Sequence, residues 1–199
     1  MSNIANNLLK LALSQKTVFT TADLSIFWDI EDKNVLRTTI SRAIKKGYLQ
    51  HLQRGLYALN EKNINIFELA GKQKKNSYIS FETVLLQNDV INQWYDTIFS
   101  ASDRQMEIEN KFGRFNYRQM PTEVLINRKG IINKGTYFLA STERAICDYF
   151  YKVGFQQLDN TDHVDKNKLL QISKIYNNKR LEKDIEKLVK NLDSNKFNY

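Results

Sequence analysis

Apolar residues recur at helical spacing through the first third of the chain. Between Asn3 and Leu13, Ile4, Leu8, Leu11 and Ala12 fall at offsets 0, 4, 7 and 8, one stripe of a 3.6-residue period. Val18 and Phe19 form a short extended piece, after which Thr20 or Thr21 can cap a second short helix through Ala22, Leu24, Ile26 and Phe27. Asp32 can cap a third, in which Leu36, Ile40, Ala43, Ile44 and finally Gly47 fall at offsets 0, 4, 7, 8 and 11. Gly47 supplies the stop, because glycine tolerates the left-handed conformation a helix end needs. The period then changes, and Tyr48 to Leu59 predicts two short strands hinged at Arg54-Gly55.

A polar, basic, non-periodic run from Gly71 to Ser77 predicts a short linker or a helix end, with domains at residues 1–72 and 76–199. Beyond it, Ser80 is placed to cap a helix carrying Phe81, Val84 and Leu85 inward and stopping near Asn88-Asp89. Thr97 to Ala101, Arg114 to Gln119, Val124 to Asn127 and Tyr137 to Ala140 are strand candidates, rich in β-branched and aromatic residues. Ser141 can cap a further helix with Ala145, Ile146, Tyr149, Phe150 and Val153 on one face. Two amphipathic helices follow, marked by Leu169, Ile172, Ile175 and Tyr176 and then by Leu181, Ile185, Leu188, Val189 and Leu192. The fold class expected is α+β: an N-terminal winged helix-turn-helix followed by a mixed α/β domain ending in helices.

The third helix carries the most chemical information. Opposite its apolar stripe stand Lys33, Asn34, Arg37, Thr38, Ser41, Arg42 and Lys45, with no acidic residue after Asp32. A solvated helix face ordinarily mixes signs, because Glu and Lys four residues apart support one another. Arg forks onto guanine, Asn pairs with adenine, and Ser and Thr reach phosphates or bases, so this residue set suits a DNA groove. Gln53 and Arg54 at the hairpin tip would be the wing contacts. Charge distribution agrees: residues 1 to 75 hold 12 Lys and Arg against 6 Asp and Glu, and residues 76 to 199 hold 18 against 16. A polyanion is drawn to the first module by steering and by counterion release.

Composition narrows the remaining classes. A chain of 199 residues with 42% hydrophobic residues can bury a core, and no apolar run approaches the ~20 residues that span a bilayer. The start, Met1 to Asn7, lacks a charged segment followed by an apolar stretch, so a cytoplasmic protein without membrane attachment is expected. The single cysteine, Cys147, allows no internal disulfide, and the histidines His51 and His163 lie far apart, against a zinc site. Glu109 and Lys111, with Asp96 or Asp89 upstream, can be forced into a metal-dependent nuclease pattern, but Met106 to Lys111 offers no evident rigid platform. Nucleophile elbows and phosphate-binding glycine loops are absent, and Arg144 to Asp148 reads as easily as a helix ion pair as a catalytic group. No enzyme activity and no cofactor are implied.

Four ordered blocks carry a family resemblance: Gly47-Tyr48-Leu49, Arg54-Gly55-Leu56-Tyr57, Tyr78 to Leu85, and Leu139 to Asp148. Over roughly residues 4 to 155 the chain resembles the AbiEi-type antitoxins of type IV toxin-antitoxin systems. The resemblance implies a winged helix that binds inverted repeats in its own promoter and represses the operon. It also implies a C-terminal domain that counteracts a nucleotidyltransferase-like toxin, typically without a stable complex. Carried over by position, Arg37, Thr38, Ser41, Arg42 and Lys45 would read DNA, Arg54 would touch the backbone, and Tyr78, Ser80, Glu143 and Asp148 match the second-domain signature. The residues themselves favour capping for Ser80 and structural roles for Tyr78, Glu143 and Asp148. Thr142 replaces the family's usual proline, and Asp89 a common glycine.

The expectation is therefore an antitoxin and autorepressor, binding double-stranded promoter DNA as two copies and neutralising a co-encoded toxin. The competing class is a winged-helix regulator or adaptor whose second domain binds a ligand or a protein, with no toxin involved.

Overall fold

The computed structural model describes residues 4–194, so Asn3, the predicted start of the first helix, lies outside the described residues. The chain divides into two compact units between Gln73 and Lys74. With helices and antiparallel and parallel strands mixed along the chain, the fold is α+β.

The first unit runs α1 (Ile4–Ala12), β1 (Phe19–Thr20), α2 (Thr21–Trp28), α3 (Lys33–Lys45), β2 (Gln50–Gln53), β3 (Leu56–Ala58), a 3-10 turn (Glu61–Asn63) and α4 (Ile66–Gln73). Leu11, Phe19, Leu24, Trp28, Leu36, Ile40, Ala43 and Leu49 form its core. Ile26, in the apolar series of α2, instead faces solvent at 78% exposure, and Trp28 takes the inward place. α2 begins in a capping box: Thr20 accepts from the Asp23 amide, and Asp23 accepts from the Thr20 amide. β3 lies between β1 and β2, antiparallel to both, which makes the hairpin the outer flap of a three-stranded sheet. α4, for which no helical signal stands out in the sequence, runs through Gly71. It is tied back by Glu68, which accepts from both the amide and the hydroxyl of Thr17 at 2.8 Å.

The second unit runs β4 (Tyr78–Ile79), α5 (Phe81–Gln87), β5 (Thr97–Ser102), β6 (Met106–Asn110), β7 (Gly113–Gln119), α6 (Thr122–Ile126), β8 (Ile131–Asn133), β9 (Phe138–Ala140), α7 (Thr142–Val153), α8 (Lys166–Ser173), a 3-10 turn (Lys174–Tyr176) and α9 (Lys179–Ser194). Its strands form one sheet in the order β6-β7-β5-β4-β9-β8. β5 pairs parallel to β7, from Thr97 opposite Arg114 to Ser102 opposite Gln119, and β4 pairs parallel to β9. The other neighbours are antiparallel. Helices α5 and α7 pack together, and α8 and α9 extend that layer.

Three expectations are corrected here. Val124 to Asn127 is not a strand: Pro121 accepts the amides of Val124 and Leu125, so the β-branched preference yields to a short helix. Met106 to Asn110 is a rigid element after all, an edge strand whose Met106 and Ile108 alternate with outward Glu107 and Glu109. Ser80 does not cap α5, since its hydroxyl is committed elsewhere. Asp89 adopts the left-handed conformation, at φ 55°.

Candidate nucleic-acid interface

Helix α3 owes its position to its two ends. Asp32 accepts the amides of Asn34 and Val35, both at 2.8 Å, and so fixes the first turn. At the other end the Gly47 amide donates to Ile44 and the Tyr48 amide to Ala43, with Gly47 at φ 71°. Leu36, Ile40 and Ala43 are buried between these anchors, so the opposite face is turned outward.

That outward face carries Lys33, Asn34, Arg37, Thr38, Ser41, Arg42 and Lys45, all exposed. Four-residue steps sort them into rows. Lys33, Arg37, Ser41 and Lys45 form one ridge. Asn34, Thr38 and Arg42 form the next, and a trough of about 420 Å³ lies along these two rows. Among the described residues, none of the four cations lies within ion-pair distance of a carboxylate. Elsewhere in the unit two cations are paired: Lys16 and Lys72 both reach Asp23, at 2.5 and 3.1 Å. Burial pushes the Asp23 carboxyl up, but hydrogen bonds from Lys16, Thr20 and Lys72 outweigh it and hold the group well below the usual carboxylate range.

Two site residues are more committed than their sequence suggests. The Thr38 hydroxyl donates to the Asn34 carbonyl at 2.9 Å, so Thr38 offers outward only an acceptor oxygen and a methyl group. Gln53 is half-buried and accepts from the Gln73 side chain at 3.1 Å. Arg54 stands exposed in the two-residue turn of the hairpin, and Gly55 beside it holds φ 75°.

In the second unit Tyr78, Ser80 and Asp148 come together in the interior. The Asp148 carboxylate accepts from Ser80 Oγ at 2.6 Å, Tyr176 Oη at 2.6 Å and Tyr78 Oη at 3.1 Å. Arg144 completes the cluster, 3.5 Å from Asp148 and fully buried with it. Its guanidinium donates to the Tyr78 hydroxyl and to the carbonyls of Val124, Asn127 and Lys129. Burial pushes the Asp148 carboxyl above its usual range, against Arg144 and the hydroxyl donors, and pushes Tyr78 and Tyr176 up as well. Gly130 makes the approach possible: at φ 75°, a Cβ there would lie 2.9 Å from Arg144 Cβ and 2.9 Å from Ile172.

Glu143 is not part of this cluster. Its carboxylate accepts from Ser141 Oγ at 2.8 Å and from the Asp165 amide at 3.3 Å, joining the starts of α7 and α8. Arg144 is the helix ion-pair partner that its four-residue spacing from Asp148 offered, whereas Tyr176, inside an apolar stripe, is the member that sequence reasoning missed. The carboxylate and hydroxyls of the cluster are all bonded within it, while Arg144 Nε is buried 3.5 Å from Asp148 without a hydrogen bond, and the cluster is chemistry of folding.

The nuclease pattern does not assemble. Glu109 lies exposed on β6, 3.3 Å from Arg114. Among the described residues no group of three His, Cys, Asp or Glu side chains could hold a metal ion, and no helix is long and apolar enough to cross a membrane.

No curated protein matches the chain. Residues 6–60, the span from α1 past the hairpin that contains the exposed cationic helix, match the family described as transcriptional regulator, AbiEi antitoxin.

Proposed function

We propose that this protein is an antitoxin that represses its own operon by binding inverted-repeat promoter DNA through α3 and the hairpin. Its second unit counteracts a co-encoded nucleotidyltransferase-like toxin. The observation that carries the DNA reading is the set of exposed cations on α3 with no acidic partner among the described residues, on a helix whose buried face fixes its orientation. Such a face gains by releasing a duplex's condensed counterions, whereas a solvated face would be neutralised locally. The family match over residues 6–60 supports the regulator and antitoxin reading. Lys33, Asn34, Arg37, Thr38, Ser41, Arg42, Lys45 and Arg54 are the contacts; Gln53 supports the wing from Gln73. A single winged module reads few base pairs, so two copies occupy the two half-sites.

The test has two arms. A reporter driven by the protein's own upstream region should be repressed by the whole chain and released by Arg42→Ala. Growth with the adjacent gene expressed should be restored by the whole chain and lost when residues 74–199 are deleted. Repression unaffected by Arg42→Ala contradicts the assigned face. Growth indifferent to the adjacent gene contradicts the antitoxin role and favours a regulator whose second unit serves another ligand.

A further inference from the structure

The ridge of Lys33, Arg37, Ser41 and Lys45 has a second flank. Between α3 and the hairpin lies a cleft of about 620 Å³, floored by Leu36, Ile40 and Ile44 with Tyr57 on the opposite wall. Lys33, Arg37 and Lys45 form its lip, Thr21, Ser41 and His51 complete the lining, and among the described residues no carboxylate lines it. The walls are tied in place: β3 pairs with β1, and the Thr21 amide donates to Gly55 in the hairpin turn at 3.1 Å. An apolar floor under a purely cationic lip fits a ligand that is apolar on one side and anionic on the other. In DNA that description belongs to the sugar-phosphate backbone, whose deoxyribose rings present C–H faces between phosphates.

Resting on the DNA reading above, we infer that this cleft seats one strand's backbone, with deoxyriboses over Leu36, Ile40, Ile44 and Tyr57 and phosphates at Lys33, Arg37 and Lys45. The rows then divide the labour. Arg37 is a phosphate clamp, whatever its suitability for guanine, and sequence is read by Asn34, Thr38 and Arg42 on the outer row. Thr38, whose hydroxyl donates its hydrogen bond to the Asn34 carbonyl, meets a thymine methyl or an amino group of adenine or cytosine.

The experiment uses the whole chain and a duplex enriched by it from random-sequence DNA. Lys33→Ala, Arg37→Ala and Lys45→Ala should each flatten the salt dependence of log K by about 0.9 and leave the enriched sequence unchanged. Arg42→Ala should instead relax preference at one base pair, by about ten- to a hundredfold. Single methylphosphonates along each strand should weaken wild-type binding over one short stretch, with one sensitive position lost in Arg37→Ala. Arg37→Ala that relaxes base preference with an unchanged salt slope, or methylphosphonates that weaken wild type and Arg37→Ala at the same positions, overturns the inference while DNA binding stands. Failure to enrich any duplex overturns both this inference and the function it rests on.

Discussion

Arg42 and Arg144 are the same side chain in opposite surroundings. Arg42 is exposed on α3 with no ion-pair partner among the described residues, while Arg144 is fully buried among carbonyls, a tyrosine hydroxyl and Asp148. A buried ion pair is costly to break from one side, because the partner's charge is left uncompensated, whereas exposed charge contributes little to folding. Charge left open in one unit is available to a polyanion; charge closed in the other fixes where helices and loops meet. The two units therefore respond differently to the same kind of substitution.

The largest effect should come from breaking the closed cluster. Arg144→Leu leaves Asp148 buried without its counterion and strips donors from three carbonyls, and should cost the second unit about 3–5 kcal/mol in urea unfolding. Gly130→Ala should follow at about 1–3 kcal/mol, since the new Cβ meets Arg144 and Ile172 at 2.9 Å in a backbone conformation unfavourable to alanine. Arg42→Ala should invert the pattern: stability within about 0.5 kcal/mol of wild type, but about 1–3 kcal/mol lost in binding the enriched duplex. If Arg42→Ala destabilises the fold while Arg144→Leu does not, the comparison between the two sites fails.

A smaller effect sharpens it within the first unit. Asp23 has its pKa lowered in the folded state, so the unfolded chain takes up the proton first as pH falls. Its contribution is present above the ordinary carboxylate value near about 3.9 and is lost progressively as pH drops toward the lower folded value. Asp23→Asn should therefore lower stability by about 1–2 kcal/mol at pH 7, with the gap to wild type narrowing as urea unfolding is repeated below about pH 4. A gap that widens under acid would show that the carboxylate is not held by Lys16, Lys72 and the Thr20 cap.

Elements with strong local signals were legible in the chain. The period of Leu36, Ile40 and Ile44, bounded by Asp32 and Gly47, is enough to orient α3, because cap and stripe agree. The hairpin at Arg54-Gly55 was visible for the same reason. β4 and β8, of two and three residues, are too short to show an alternation, and they exist because neighbouring strands supply the pairing. Val124 to Asn127 misled because local propensity pointed to a strand while Pro121 started a helix. In the site, the cationic face could be read from spacing alone. The commitments of Ser80 to Asp148 and of Gln53 to Gln73 join residues 68 and 20 positions apart, which no local pattern reveals.

The central claim is that α3 presents its cations to duplex DNA. Equilibrium binding of wild type and of a triple Arg37→Ala, Arg42→Ala, Lys45→Ala variant to the protein's own upstream duplex, across a range of salt, tests it most directly. For wild type log K should fall linearly with log salt, and the variant should bind more weakly, with a slope shallower by about 0.9 for each phosphate contact removed. Equal slopes and equal affinities for the two proteins would contradict it.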